Sequence, residues 1–149
     1  MILNIILGFI IPWIFGTVLY FKNKRIVLII APFSSILAYT VNEFCFHLNF
    51  WRLAPLNIQD DYTSTSVNLG LYPILGCCLI YCIWRNRINP YLIVFIFALG
   101  TTTFEYAGFL LKLVTYGNGW NIGWSFISYF IPYLLLCLYY LKLKAIKVF

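Results

Sequence analysis

Long apolar runs separated by short polar joints dominate the chain. A helix needs roughly 20 residues to cross the hydrocarbon core of a bilayer, and a lone strand would leave its backbone unpaired in lipid. We therefore predict an all-α fold in which residues 1–149 form a single transmembrane domain, a bundle of five transmembrane helices. The predicted spans cover about residues 2–21, 26–50, 67–84, 91–115 and 122–141.

The composition is typical of the same class. Hydrophobic residues make up 63% of the chain and charged residues 9%, whereas a soluble domain carries roughly 25% charged residues. The net charge of +6 does not indicate nucleic-acid binding, because the basic residues sit in short clusters between apolar runs. We predict a multi-pass protein of a cell membrane that contacts membrane lipids and no nucleic acid.

The charged residues alternate from one joint to the next. Eight of the ten basic residues fall at alternate joints, and all four acidic residues lie toward the opposite side. Basic loops remain in the cytoplasm, so we expect the N-terminus outside the cell and the C-terminus in the cytoplasm. The basic residues of this pattern are Lys22, Lys24, Arg25, Arg85, Arg87, Lys142, Lys144 and Lys147, and the acidic residues are Glu43, Asp60, Asp61 and Glu105.

Two glutamates lie at matched depths within the predicted spans. Glu43 follows Arg25 by 18 residues, and Glu105 follows Arg87 by 18 residues. At about 1.5 Å of rise per residue, each carboxylate lies ~27 Å from the cytoplasmic basic residue, in the outer part of a core that is ~30 Å thick. A charge facing lipid there is unfavourable, so we expect both glutamates to face the bundle or a hydrated pocket.

Polar and aromatic residues near these glutamates predict a ligand pocket in the outer leaflet. It would bind a lipid, a small ligand or a protein partner. With one histidine and no Cys-x-x-Cys pair, we expect no metal site, and we expect no cofactor. The candidate ligand-binding residues are Glu43, His47, Trp51, Glu105, Tyr106, Lys112, Asn118 and Trp120.

Three other interpretations stay open. The chain could be an enzyme that modifies a lipid or an isoprenoid, with Glu43 or Glu105 as general acid or base, or a small transporter that uses the glutamates as coupling groups. In a purely structural interpretation, Glu43 pairs with Arg52 and Glu105 pairs with Lys112. A second copy of the chain as partner is also open.

The sequence contains a weak internal repeat. A shift of 62 positions places Gly8 on Gly70, Thr40 on Thr102 and Glu43 on Glu105. This pattern predicts two helical hairpins of the same orientation, followed by a fifth helix. Parallel repeats of this kind occur in transporters, although shared topology and chance would produce a repeat this faint.

Three motifs resemble those of a known group of proteins. They are Asn-Glu-Phe-x-Phe-His-x-Asn-Phe-Trp-Arg at 42–52, Asn-Leu-Gly-Leu-Tyr-Pro at 68–73 and Tyr-x-Asn-Gly-Trp-Asn at 116–121. In these motifs the chain resembles small multi-span membrane proteins of spore-forming Gram-positive bacteria, a family with no assigned activity. The resemblance implies membrane placement and transfers no catalytic residue.

Overall fold

A computed structural model describes residues 2–54 and 64–149, apart from the side chain of Leu3. The predicted pair Asp60 and Asp61 lies outside this part of the chain. The described chain is mostly helical and forms five helices and two short strands. In chain order these are α1 (2–22), α2 (Lys24–His47), β1 (Trp51–Leu53), α3 (Ser64–Arg85), α4 (Pro90–Leu110), β2 (Val114–Tyr116) and α5 (Ile122–Ala145).

Four of these helices, α2 to α5, are long and apolar enough to cross a membrane. The first helix is interrupted by a π-helical turn at Ile6–Ile10, and its apolar part, Ile6–Lys22, is shorter than the other four helices. The prediction of a helical architecture compatible with a membrane is therefore confirmed, with four helices of sufficient length.

Two strands of three residues each add a feature that the prediction of a helical bundle did not include. Because α2 ends at His47 and α4 at Leu110, the predicted spans 26–50 and 91–115 run past the true helix ends. Strand β1 pairs antiparallel with β2, with Trp51 opposite Tyr116. Trp, Val, Thr and Tyr are residues that favour strands. They also fit the apolar pattern of a membrane helix, so hydropathy alone did not distinguish a strand from a longer helix here.

The two helix ends that precede the strands have the same geometry. Asn49 and Lys112 adopt left-handed backbone conformations, with φ of 53° and 59°. The residue after each one donates its backbone N–H to a carbonyl within the helix, Phe50 to Cys45 and Leu113 to Gly108, both at 2.9 Å. These are the bonds of a helix C-cap, and they turn both chains toward the shared sheet.

The helices α1 and α3 cross at their π-helical turns, which lie at Ile6–Ile10 and Val67–Leu71. A Cβ atom added to Gly70 would lie 2.1 Å from the carbonyl oxygen of Gly8, so the two backbones touch. A proline follows each turn, Pro12 and Pro73, and proline frees the carbonyl four residues before it. The freed carbonyl of Leu69 accepts a hydrogen bond from Trp13 Nε1 at 2.9 Å.

The repeat predicted from the sequence therefore has structural counterparts. Each half consists of two helices and a strand, the π-helical turns coincide with the paired glycines, and the two strands pair with each other. Helix α3 lies at the centre of the bundle and packs against all four other helices. Its side chains Cys77, Leu79 and Ile80 are fully buried.

Candidate ligand-binding site

The carboxylate of Glu105 is a hydrogen-bonding centre at the end of the bundle that carries the two strands. Glu105 Oε1 accepts hydrogen bonds from the Tyr116 hydroxyl and from Ser125 Oγ, both at 2.5 Å. Glu105 Oε2 accepts a hydrogen bond from the Tyr129 hydroxyl. A carboxylate has about four acceptor positions, and donors from the described residues fill three of them.

The three donors come from two elements that the local sequence holds in place. Tyr116 ends β2, where pairing with β1 fixes its position. Ser125 and Tyr129 are four residues apart on α5, a spacing that places both on one helix face. Asn121 caps this helix by accepting hydrogen bonds from the backbone N–H groups of Gly123 and Trp124, which fixes where α5 begins.

Tyr116, which lies outside the helices, keeps its proton under ordinary conditions. Burial, and then the hydrogen bond to Glu105, raises the pKa of the Tyr116 hydroxyl above its usual value of 10. The phenol is therefore neutral at neutral pH and serves as a donor to the carboxylate. Among the residues that the structure describes, no Lys, Arg or His side chain forms an ion pair with Glu105, so its hydrogen-bonding partners are all hydroxyls.

A wall of aromatic rings closes the site on the side of β1. Trp120 donates its Nε1–H to Ser125 Oγ at 2.9 Å, which links the indole to the Glu105 cluster through one hydroxyl. The ring of Trp120 stacks on Phe50 at a centroid distance of 4.9 Å and meets Trp51 edge-on at 4.8 Å. Trp51 is itself buried, so this wall is a packed structure.

A cavity of about 400 Å³ lies against Glu105. Its volume falls in the range of small-molecule sites, which are mostly apolar with a few convergent polar groups. Leu7 and Phe104 belong to its wall and are 48% and 80% exposed, so the cavity reaches the outer surface of the bundle between α1 and α4. The polar residues that line it are Asn4, Asn42, Tyr72, Thr101, Glu105 and Tyr129.

A second, short hydrogen-bonded chain extends the site toward the bundle axis. The Tyr72 hydroxyl lies 3.4 Å from the Tyr129 hydroxyl, whose other partner is Glu105. Asn42 donates to Asn68 Oδ1 within the buried interior between α2 and α3. The polar groups of α2, α3, α4 and α5 therefore converge on one side of the cavity.

The structure brings three of the predicted ligand-binding residues together. Glu105 and Trp51 line the cavity, and Trp120 contacts Trp51 and is joined to Glu105 through Ser125. Their role in binding stays a prediction, but their placement agrees with a shared site.

Two further predicted residues, Glu43 and His47, lie on α2 and do not line this cavity. Glu43 and His47 share a helix face as expected, but both are exposed. The inward face of α2 at this level consists of Asn42, Cys45 and Phe46. Of the two placements expected for the glutamates, the bundle or a hydrated pocket, Glu105 has the first, whereas Glu43 does not face the bundle.

The remaining three predicted residues serve local structure in the loops or face outward. Tyr106 is 46% exposed and stacks on Phe109. Lys112 is exposed at the left-handed position that ends α4, and no ion pair joins it to Glu105. Asn118 donates its side-chain amide to the carbonyl of Leu48 at 2.7 Å, which ties the last joint to the end of α2.

Sequence reasoning missed the hydroxyl donors, Tyr116, Ser125 and Tyr129, as well as Tyr72. The spacing of Ser125 and Tyr129 was a usable signal, because a serine and a tyrosine four apart place two hydroxyls on one helix face. The chain contains twelve tyrosines, and most tyrosines of membrane proteins serve as interface anchors. The spacing of this one serine and tyrosine therefore did not stand out.

Replacing Ser125 by alanine is expected to destabilise the protein by about 2 kcal/mol. The change removes one donor from Glu105 and leaves the partly buried N–H of Trp120 without its acceptor. Thermal unfolding in detergent micelles measures the loss. Ser128→Ala is the matched control, because Ser128 donates only to the backbone carbonyl of Ser125 at 2.8 Å; equal losses in the two variants would contradict the linkage of Trp120 to Glu105.

Comparison of the chain with protein-family models, with curated proteins and with solved structures finds no match. The resemblance to small membrane proteins of spore-forming bacteria therefore stays a prediction.

Proposed function

We propose that this chain is a multi-pass membrane protein that binds an amphipathic small molecule or lipid in the outer half of the bundle. The observation that carries the proposal is a cavity of about 400 Å³ whose wall holds the Glu105 carboxylate, fixed by three hydroxyl donors. Binding sites combine such an apolar volume with a few polar groups of fixed orientation. Phe104 and Leu7 at the rim give the cavity access from the lipid.

The proposed topology has five spans, with the N-terminus outside and the C-terminus in the cytoplasm. The length and composition of four helices support it, as does the position of the basic residues at alternate joints. In this orientation the strands, Glu105 and the cavity mouth all belong to the outer half. The first helix, with its π-helical turn, would be the span that completes the set of five.

Cysteine labelling from outside the cell tests this topology. We expect His47→Cys to react with a membrane-impermeant maleimide in intact cells, and Lys144→Cys to react only after permeabilisation. Both side chains are exposed, and the five native cysteines would first be replaced by alanine. Labelling of both positions from the same side would contradict the proposed threading.

Blocking the cavity tests the binding proposal directly. Gly108 lines the cavity, and a Cβ there meets only Val114 at 3.6 Å, so Gly108→Phe is expected to fill the volume while leaving Glu105 in place. Native mass spectrometry of protein purified from its membrane should detect a bound amphiphile on the wild type and at least a tenfold lower occupancy on this variant.

The control is Gly100→Phe, because no atom of the described residues lies within 4 Å of a Cβ at Gly100. This variant adds the same ring to the same helix away from the cavity, and we expect it to retain the bound mass. Equal occupancy of the wild type and Gly108→Phe, or loss in both variants, would contradict binding in this cavity.

An enzyme that modifies a lipid or isoprenoid is the second candidate function. It is favoured by the line of hydroxyls from Tyr72 through Tyr129 to Glu105, which ends at the cavity wall and resembles a proton-transfer arrangement. If Glu105→Gln binds an amphiphile of different mass from the wild type, the bound molecule is a substrate that the wild type converts. An unchanged mass supports binding alone.

A further inference from the structure

We infer, on the basis of the proposed function, that the cavity selects an amphiphile with a cationic ammonium head, seated between Glu105 and the surrounding aromatic rings. The head is a protonated amine or a quaternary ammonium, and the rest of the molecule is an apolar chain. The inference names the charge of the ligand, which the binding proposal leaves open.

The first support is the charge of the cavity wall. Among the described lining residues, Glu105 is the only one with an ionisable acid or base of the Asp, Glu, Lys, Arg or His type. Three hydroxyl donors hold its carboxylate in place. A negative charge that lacks a cationic side chain partner in an apolar wall is complementary to a positive ligand.

The second support is the set of aromatic rings around the carboxylate. Trp51, Tyr72, Phe104 and Tyr129 all line the same cavity as Glu105. Faces of such rings attract ammonium groups, and Trp is the strongest of them. Aromatic cages recognise quaternary ammonium ligands, and in this cavity Glu105 adds a carboxylate to the same wall.

The third support is the acceptor position on Glu105 that no donor among the described residues fills. Three hydroxyls fill three of about four positions, so a protonated amine can donate to the remaining one. A quaternary ammonium, which has no N–H, would use the charge and the rings instead. An anionic head would face the carboxylate without any described cation to offset the repulsion.

The apolar part of the cavity provides a place for the chain of the ligand. Leu7, Val67, Leu71 and Leu75 line it, and Leu7 is half exposed on the outer surface. The ligand would therefore place its head against α4 and α5 and extend its chain along α1 and α3 toward the lipid.

Competition binding on the full-length protein in dodecyl maltoside micelles tests the inference. The probe is radiolabelled dodecyltrimethylammonium, and we expect saturable binding of one molecule per chain. Unlabelled dodecylamine should displace it, whereas dodecyl sulfate and monolaurin, with anionic and neutral heads on chains of similar length, should need at least tenfold higher concentrations. Equal competition by all of these molecules would overturn the inference.

Two variants relate the selectivity to the carboxylate. Glu105→Gln should lower the affinity for dodecyltrimethylammonium at least tenfold, whereas Glu43→Gln, at the matched depth on α2 but exposed, should bind as the wild type does. Equal affinities of the wild type and Glu105→Gln would overturn the inference. Should Glu105→Gln fail to fold, the head-group selectivity of the wild type still decides the question.

The same assay separates this inference from the proposed function. If radiolabelled monolaurin binds the wild type saturably, is excluded by Gly108→Phe and is not displaced by the ammonium probe, the cavity binds amphiphiles and the cationic inference is wrong. If no probe binds saturably, both are wrong. Displacement by dodecylphosphocholine as strong as that by dodecylamine would support the inference and identify a lipid head group as the source of the ammonium; weak displacement would support a free amine.

Discussion

Replacing Gly70 by alanine is expected to lower the midpoint of thermal unfolding by about 2–12 °C. The added Cβ would lie 2.1 Å from the Gly8 carbonyl oxygen and 2.5 Å from the Cα of Phe9. Both neighbours are backbone atoms, so no side-chain rotation relieves the clash and the two helices must separate. Overpacking of this kind costs about 1–3 kcal/mol, and a kilocalorie shifts the midpoint by ~2–4 °C in a protein of this size.

The sign of this result is informative, because alanine is the better helix former by about 1 kcal/mol. Gly100→Ala provides the matched control: it makes the same change on α4, where the described part of the chain places no atom within 4 Å of the new Cβ. We expect no loss of stability there. If Gly70→Ala were as stable as Gly100→Ala, the direct backbone contact between α1 and α3 would not exist in the folded protein.

Replacing Glu105 by alanine is expected to destabilise the protein by about 3 kcal/mol. Tyr116, Ser125 and Tyr129 each lose their shared acceptor, and a buried polar group left without a partner costs about 1–3 kcal/mol. The loss is less than the sum of three, because Ser125 Oγ and the Tyr116 hydroxyl, 3.3 Å apart, still bond to each other. Thermal unfolding in micelles or nanodiscs measures it.

Glu43→Ala is the control for charge removal. In the proposed topology Glu43 lies at a similar depth, and removing a carboxylate from a membrane helix is itself favourable. Because Glu43 is exposed, we expect this variant to be as stable as the wild type or slightly more stable. A gain in stability for Glu105→Ala as well would show that its three hydroxyl contacts do not outweigh the cost of a charge in the membrane.

Much of the architecture could be predicted from the sequence, because length and hydropathy decide which segments are helical in a membrane. The positions of the helix ends were harder to predict. Residues 48–50 and 111–115 are apolar enough to extend the spans, and only the left-handed turns at Asn49 and Lys112 and the pairing of two distant strands show that the helices stop earlier.

The candidate site could be predicted only in part. The matched positions of Glu43 and Glu105 follow from counting residues, and the sequence also placed Trp51 and Trp120 at the same end of the bundle, where they contact each other. The donors Tyr116, Ser125 and Tyr129 were not found, since their meeting at Glu105 depends on how β2 and α5 pack against α4.

By itself the sequence determined that the chain is helical and apolar enough for a membrane, with paired glycines and two glutamates at equivalent positions of a repeat. Only the tertiary structure decided that Glu105 faces the interior and that Asn42, not Glu43, does so on α2. The physical reason is that a membrane helix is apolar on its lipid-facing side as well as on its packed side. The sequence therefore indicates only weakly how such a helix is rotated about its own axis. Contacts with neighbouring helices determine that rotation.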